Sequence, residues 1–165
     1  MYQLPPMPVK KKPRAPYRKP EAVKHLEQML YEDDLRRHPS MKPEHMARRK
    51  HRDDTANGLT ACILAYAKLN GAFASRLNNQ GVFRNGKFTR STARRGLPDI
   101  LITGRDGRSI FTEVKVKKDR MSQWQKAVRD DQTQAGGLYY VAHNFSDFKA
   151  WFDAFAVGVA PQKNI

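Results

Sequence analysis

Gly96-Leu97-Pro98-Asp99-Ile100-Leu101-Ile102 and, one turn later, Phe111-Thr112-Glu113-Val114-Lys115 are the stretches on which the reading of this chain rests. Pro98 opens a short apolar strand expected over 99–103. A second strand is expected over 109–116, where Ile110, Thr112, Val114 and Val116 face one way and Phe111, Glu113 and Lys115 the other. Arg105-Asp106-Gly107-Arg108 between them is a turn. Between Thr55 and Lys115 the only carboxylates are Asp99, Asp106 and Glu113, and the turn accounts for Asp106. If the two strands are neighbours, Asp99 meets Glu113 at a sheet edge. Two carboxylates there make an oxygen site for a hard cation such as Mg²⁺, with the Val114 carbonyl as a third ligand. Such an ion would polarise a phosphodiester and acidify a bound water. Lys115, on the face of Glu113, would orient that water or offset charge on the phosphoryl oxygens. A solvated strand face and a Pro-Asp strand start would explain the same residues without chemistry.

The flanking elements read outward from this pair. Asp54 or Thr55 can cap a helix running to Leu69, and Gly71 stops it. Ala72–Leu77 reads as a strand and 78–81 as a turn. Asn85-Gly86 between Val82-Phe83-Arg84 and Phe88-Thr89-Arg90 is a hairpin signal. Ser122 caps a helix through about Gln134, which Gly136-Gly137 ends. Leu138–Ala142 is a buried-type strand and Ser146–Phe155 a last helix. A mixed central β-sheet flanked by helices, an α/β architecture, is the economical arrangement. Phe83, Phe88, Tyr139 and Tyr140 could stack on bases, but aromatics in strands usually belong to the core, where they are expected.

Eight of the ten prolines precede residue 44. Residues 1–20 therefore read as a basic, Pro-rich arm with the composition of a disordered segment, and 21–53 as a basic helical extension. Val23, Leu26 and Leu30 share one face of its helix, and Lys42, Arg48, Arg49, Lys50 and Arg52 are expected to face solvent or phosphate. Residues 54–165 form the main domain. The chain of 165 residues carries 31 Lys and Arg against 16 Asp and Glu, a formal charge of +15. The excess is present on both sides of residue 54, so the arm is not its sole source. A polyanionic partner, nucleic acid, follows from it. Arg76, Arg84, Lys87, Arg90, Arg94, Arg95, Arg105 and Arg108 face only two carboxylates across their span, and with Lys117 and Lys118 they are candidate phosphate contacts. One cysteine, Cys62, excludes a disulfide framework and a cysteine-built zinc site. No apolar stretch is long enough to span a bilayer and no secretory signal is visible, so a soluble, cytoplasmic protein is expected.

The quoted stretches resemble the PD-(D/E)xK nuclease superfamily, within it the VRR-Nuc and archaeal Holliday-junction-resolvase branch. Gln125, on the helix after the lysine, fits that branch. So do the glycine turn into Leu138-Tyr139-Tyr140-Val141 and the run from Leu69-Asn70-Gly71 to Arg76. The resemblance covers about residues 54–155. It implies a restriction-endonuclease-like core and a Mg²⁺-dependent DNA endonuclease, Mn²⁺ substituting, that acts on branched or flapped DNA in repair or recombination, often as a homodimer. Asp99, Glu113, Lys115 and Gln125 would be its catalytic set. The family's usual first-helix glutamate falls, counting back from Gly71, on Asn57, a neutral ligand at best, with Asp54 one turn earlier. That departure keeps a second reading open: a nucleic-acid-binding protein of the same fold without catalysis.

Overall fold

The computed structural model describes residues 16–77, 82–89 and 92–156. The first fifteen residues of the basic arm, the expected turn at 78–81, and Arg90 lie outside them. Among the described residues the order is α1 (Glu21–Arg37), a 3₁₀ turn (Pro43–His45), α2 (Ala56–Leu69), β1 (Phe73–Arg76), β2 (Val82–Arg84), β3 (Lys87–Thr89), β4 (Ile100–Thr103), β5 (Ser109–Val114), α3 (Gln123–Gln134), β6 (Leu138–Ala142) and α4 (Phe145–Ala156). No described helix is long and apolar enough to cross a membrane.

The helix starts follow local chemistry. Thr55 caps α2, its hydroxyl accepting from the Gly58 amide, and Ser122 with Gln125 forms a reciprocal capping box on α3. Gly71, at φ 77°, turns the chain out of α2 into β1. Four strands form a mixed sheet in the order β1-β4-β5-β6, antiparallel except for the parallel β5–β6 pair, which α3 connects. The expected mixed sheet with flanking helices is the architecture found. β2 and β3 form a separate two-stranded hairpin outside this sheet.

One face of the sheet carries the core. Ala74, Ile100, Ile102, Ile110, Val114, Tyr140 and Ala142 are buried there with Leu59, Cys62, Ile63 and Tyr66 of α2 and Phe145, Phe148, Phe152 and Phe155 of α4. Val23, Leu26 and Leu30 of α1 join the same cluster. The aromatic side of α4 thus packs within its own chain. Phe148, fully buried, meets the rings of Tyr140, Phe145, Trp151 and Phe152. Phe148→Ala leaves a cavity among groups held by both sheet and helix, and is expected to cost about 3–5 kcal/mol. A lower urea midpoint at unchanged slope would register that loss, and a cost under about 1 kcal/mol would contradict the packing.

The basic stretch before α2 stays at the surface but makes contacts within the chain. Arg49 pairs with Asp34 at 2.6 Å, Arg48 bonds Gln28 and lies over the Tyr31 ring, and Arg52 grips Asp54 through two bonds of 2.6 Å. Arg48, Arg49 and Arg52 are exposed, as expected, and each also has an acidic or aromatic partner within the chain.

The hairpin brings a correction. Phe83 and Phe88 are 70% and 63% exposed, not part of the core. Residue alternation places them on one face of the hairpin, and no layer covers that face among the described residues.

Candidate active site

β4 and β5 are neighbours, with Ile100 opposite Thr112. Continuing that register by one residue sets Asp99 opposite Glu113, on the face of the sheet that α3 overlies. This is the convergence expected from alternation. The Asp99 carboxylate accepts from the Val114 amide at 2.9 Å, while its own carbonyl accepts from Leu77 at 2.8 Å. Asp99 is thus fixed through side chain and main chain to the strands on both sides of it. The amide and carbonyl of an extended residue point the same way, so the Val114 carbonyl lies along the edge where Asp99 sits.

Glu113 is only 2% exposed and Lys115 is buried beside it, which removes the reading of a solvated strand face. Lys115 Nζ stands 3.0 Å from Glu113 Oε1. Gln125, from the first turn of α3, donates to the same Oε1 at 2.6 Å. Two partners therefore hold one oxygen of Glu113, and Oε2 is buried with none. Burial first, and the charge of Asp99 second, push the Glu113 acid up to about 7 against the pull of Lys115. Burial works against the charge of Lys115, but Glu113 and Asp119 outweigh it and its pKa is raised.

Three contributors were not assigned to this site from sequence. Asp119 stands 3.3 Å from Lys115 Nζ, and its place four residues after the lysine was the visible signal. His143 sets Nδ1 2.9 Å from the Lys115 carbonyl, while the Lys115 amide donates to Ala142 at 2.9 Å. The main chain of Lys115 is therefore held on both sides by the end of β6. Tyr139 presents a buried hydroxyl without a partner, and burial, then the charges of Glu113 and Asp99, raise its pKa.

A glycine couples the two halves of the site. Gly96 has φ 82°, and a Cβ there would collide with the Trp124 carbonyl and approach the Gln125 amide to 2.8 Å. The loop entering Asp99 thus lies directly on the α3 turn that carries Gln125. Gly96→Ala must lift one from the other. It is expected to lower the melting temperature by several degrees, from a strain of about 1–3 kcal/mol. A melt matching the wild type would show that the close approach is not needed.

The other candidates divide. Asn57 is exposed at the start of α2, and no hydrogen bond joins it to Asp99 or Glu113 among the described residues. Asp54 is engaged by Arg52, which with a lesser pull from Lys117 lowers its pKa. Among the described residues no group of three or more His, Cys, Asp or Glu is gathered for a metal ion. Arg76 closes β1 beside Asp99 at the site edge, and Lys117 and Lys118 follow Lys115 in an exposed loop, Lys117 at φ 61°. Arg94 does not stand free: it pairs with Asp131 of α3, while Arg95 is exposed. Lys87 is exposed on the hairpin, the Arg84 side chain is not described, and Arg90 lies outside the described residues. Arg105 and Arg108 sit at the β4–β5 turn, at the opposite end of the sheet, where Arg108 pairs with Asp106 and covers the Phe155 ring.

No protein-family model matches the chain. No curated protein matches it. Among solved structures it is similar to a chain described as a VRR_NUC domain, with a TM-score of 0.46 and 17% identity, over 61% of this chain and 98% of that one.

Proposed function

We propose that this chain is a metal-dependent phosphodiesterase that cuts DNA, with branched or flapped DNA as its preferred substrate. The observation that supports this reading most is the half-satisfied Glu113. Lys115 and Gln125 both hold Oε1, leaving Oε2 buried and bare. A buried carboxylate oxygen without a donor is costly, and a hard cation is the partner that oxygens so arranged fit. Asp99, Glu113 and the Val114 carbonyl would hold Mg²⁺, or Mn²⁺ in its place. Bound there, the ion would polarise the phosphodiester and lower the pKa of an attacking water.

The chain's own groups do the rest. Lys115, kept cationic by Glu113 and Asp119, would place a fixed positive charge beside the phosphoryl oxygens. Gln125 sets the rotamer of Glu113, and His143 with Ala142 fixes the backbone from which Lys115 extends. Arg76, Arg95, Lys117 and Lys118 would hold the phosphate backbone across this edge.

A second reading, binding without cutting, is favoured by one specific observation: Asn57 is neutral and exposed, and among the described residues no third carboxylate joins Asp99 and Glu113 in a group that could hold a metal ion. One assay separates the two. Labelled linear duplex, single-stranded, flap and four-way-junction DNA are incubated with Mg²⁺, Mn²⁺ or EDTA, beside an Asp99 variant. Metal-dependent cutting that the variant loses supports the enzyme. Salt-sensitive binding with no product in either metal supports the binding protein.

A further inference from the structure

We propose that the β2–β3 hairpin reads discontinuities in nucleic acid, its Phe83–Phe88 pair stacking on the last base or base pair where a duplex is interrupted. This rests on the reading of the chain as a protein that acts on DNA and specifies how it selects the branched class.

Phe83 and Phe88 are direct partners across the hairpin, and both are more than half exposed. Directly opposed residues bring their Cβ atoms to about 4.5–5.5 Å, so both rings project side by side from one face of the hairpin, an aromatic plate in the sense of a shared exposed surface. Such a plate has no reason to remain in water for the sake of a two-stranded ribbon, and exposed apolar patches mark contact surfaces. The tip is open: Asn85 and Gly86 both have positive φ, 50° and 73°, the geometry of a tight hairpin turn, and no atom lies within 4 Å of where a Gly86 Cβ would stand.

Charge selects the occupant. From Arg76 to Pro98 the sequence holds six Arg and Lys and no carboxylate. The next pair toward the tip is Arg84–Lys87. An aromatic plate in such a field suits a polyanion with π-faces, an unstacked base, better than an apolar protein surface. Sequence order tethers the hairpin to the edge that carries the site. The hairpin is inserted between β1 and β4, whose adjoining ends carry Arg76 and Asp99 and are closed by the Leu77–Asp99 hydrogen bond. A continuous duplex offers no exposed base face to the rings, whereas a flap or junction offers one at the break.

The test is a binding comparison in EDTA, which keeps it independent of cutting. Affinities are measured by fluorescence anisotropy for a dumbbell duplex closed at both ends and for the same duplex carrying a flap. Wild type is compared with Phe83→Leu/Phe88→Leu, which keeps apolar bulk and removes the rings. The wild type is expected to prefer the flap by on the order of tenfold, and the variant to lose that preference while binding the closed duplex unchanged. Equal losses on both probes, or a preserved preference, overturn the proposal. Sedimentation of both proteins is run alongside, and self-association abolished in the variant would overturn it in favour of a second copy as the occupant. Should the variant not fold, 5-iododeoxyuridine at the break is photocrosslinked to the wild type. Attachment at Phe83 or Phe88 supports the proposal and attachment only elsewhere overturns it. A protein that cuts DNA but fails these tests sinks the hairpin assignment alone. One that binds neither probe sinks the nuclease reading as well.

Discussion

Asp99→Asn is expected to yield a folded protein that still binds DNA but cuts it at least about a thousandfold more slowly, a barrier increase of roughly 4 kcal/mol. The substitution is chosen for what it keeps. The Asp99 carboxylate accepts from the Val114 amide, and the carbonyl oxygen of an asparagine can do the same. The β4–β5 edge is therefore preserved while the charge is removed. Asp99→Ala, run beside it, leaves the Val114 amide unpaired and costs some stability as well. Initial rates in Mg²⁺ on the preferred DNA, with circular dichroism for the fold, decide the matter. An Asp99→Asn protein that cuts as fast as the wild type would remove Asp99 from the chemistry and the nuclease assignment with it. Loss of the Asp99 charge also removes one of the three influences that raise the Glu113 acid, burial and Asp119 being the others, so Glu113 should titrate lower in this variant.

Glu113→Gln is expected to move activity and stability in opposite directions. In the unfolded chain a glutamate gives up its proton near 4.5, but in the fold Glu113 keeps it to about 7. Between those values the folded state holds more protons than the unfolded, so stability falls as pH rises from about 4.5 to about 7. Above 7 the metal-free protein carries the whole loss, on the order of 3 kcal/mol. Glutamine has no proton to lose, and its carbonyl oxygen still accepts from Gln125 and Lys115. The variant should match the wild type near pH 4.5 and melt roughly 5–10 °C higher at pH 7.5 in EDTA, while failing to cut DNA in Mg²⁺. Thermal melts across that range check the first part and cleavage assays the second. A wild-type melting profile that is flat between pH 4.5 and 7.5 would contradict the buried, proton-holding carboxylate.

The residues that define the site's frame were legible because their cues are local. Alternation in 109–116 set Glu113 and Lys115 on one face, and Ser122 announced the start of the helix that overlies them. Strand adjacency, needed to bring Asp99 to Glu113, followed from the short turn between β4 and β5. What escaped depends on which element lies against which. Alternation says that Phe83 and Phe88 share a face but not whether anything covers it, and the hairpin stands outside the sheet that would have buried them. Arg94 looked free until α3 supplied Asp131, and Arg105 and Arg108 lay close to the motif in sequence but at the far end of the strands in space. The support that His143 gives to Lys115 arises only from the parallel pairing of β5 and β6, which ties residues 28 apart.

One carboxylate outside the site fastens both ends of the described chain. Asp53 Oδ1 accepts from the Tyr17 hydroxyl at 2.9 Å, and its Oδ2 accepts from the Phe145 amide at 3.1 Å, where α4 begins. The side chain is nearly excluded from water. Anyone shortening this protein for crystallisation or fusion therefore meets two thresholds. A start after Tyr17 removes the phenol from a buried anion, and a start after Asp53 also takes Val23, Leu26 and Leu30 out of the core and uncaps the aromatic helix. A start at or before Tyr17 keeps both contacts of Asp53, and the N-terminal helix is a wall of the building rather than its porch.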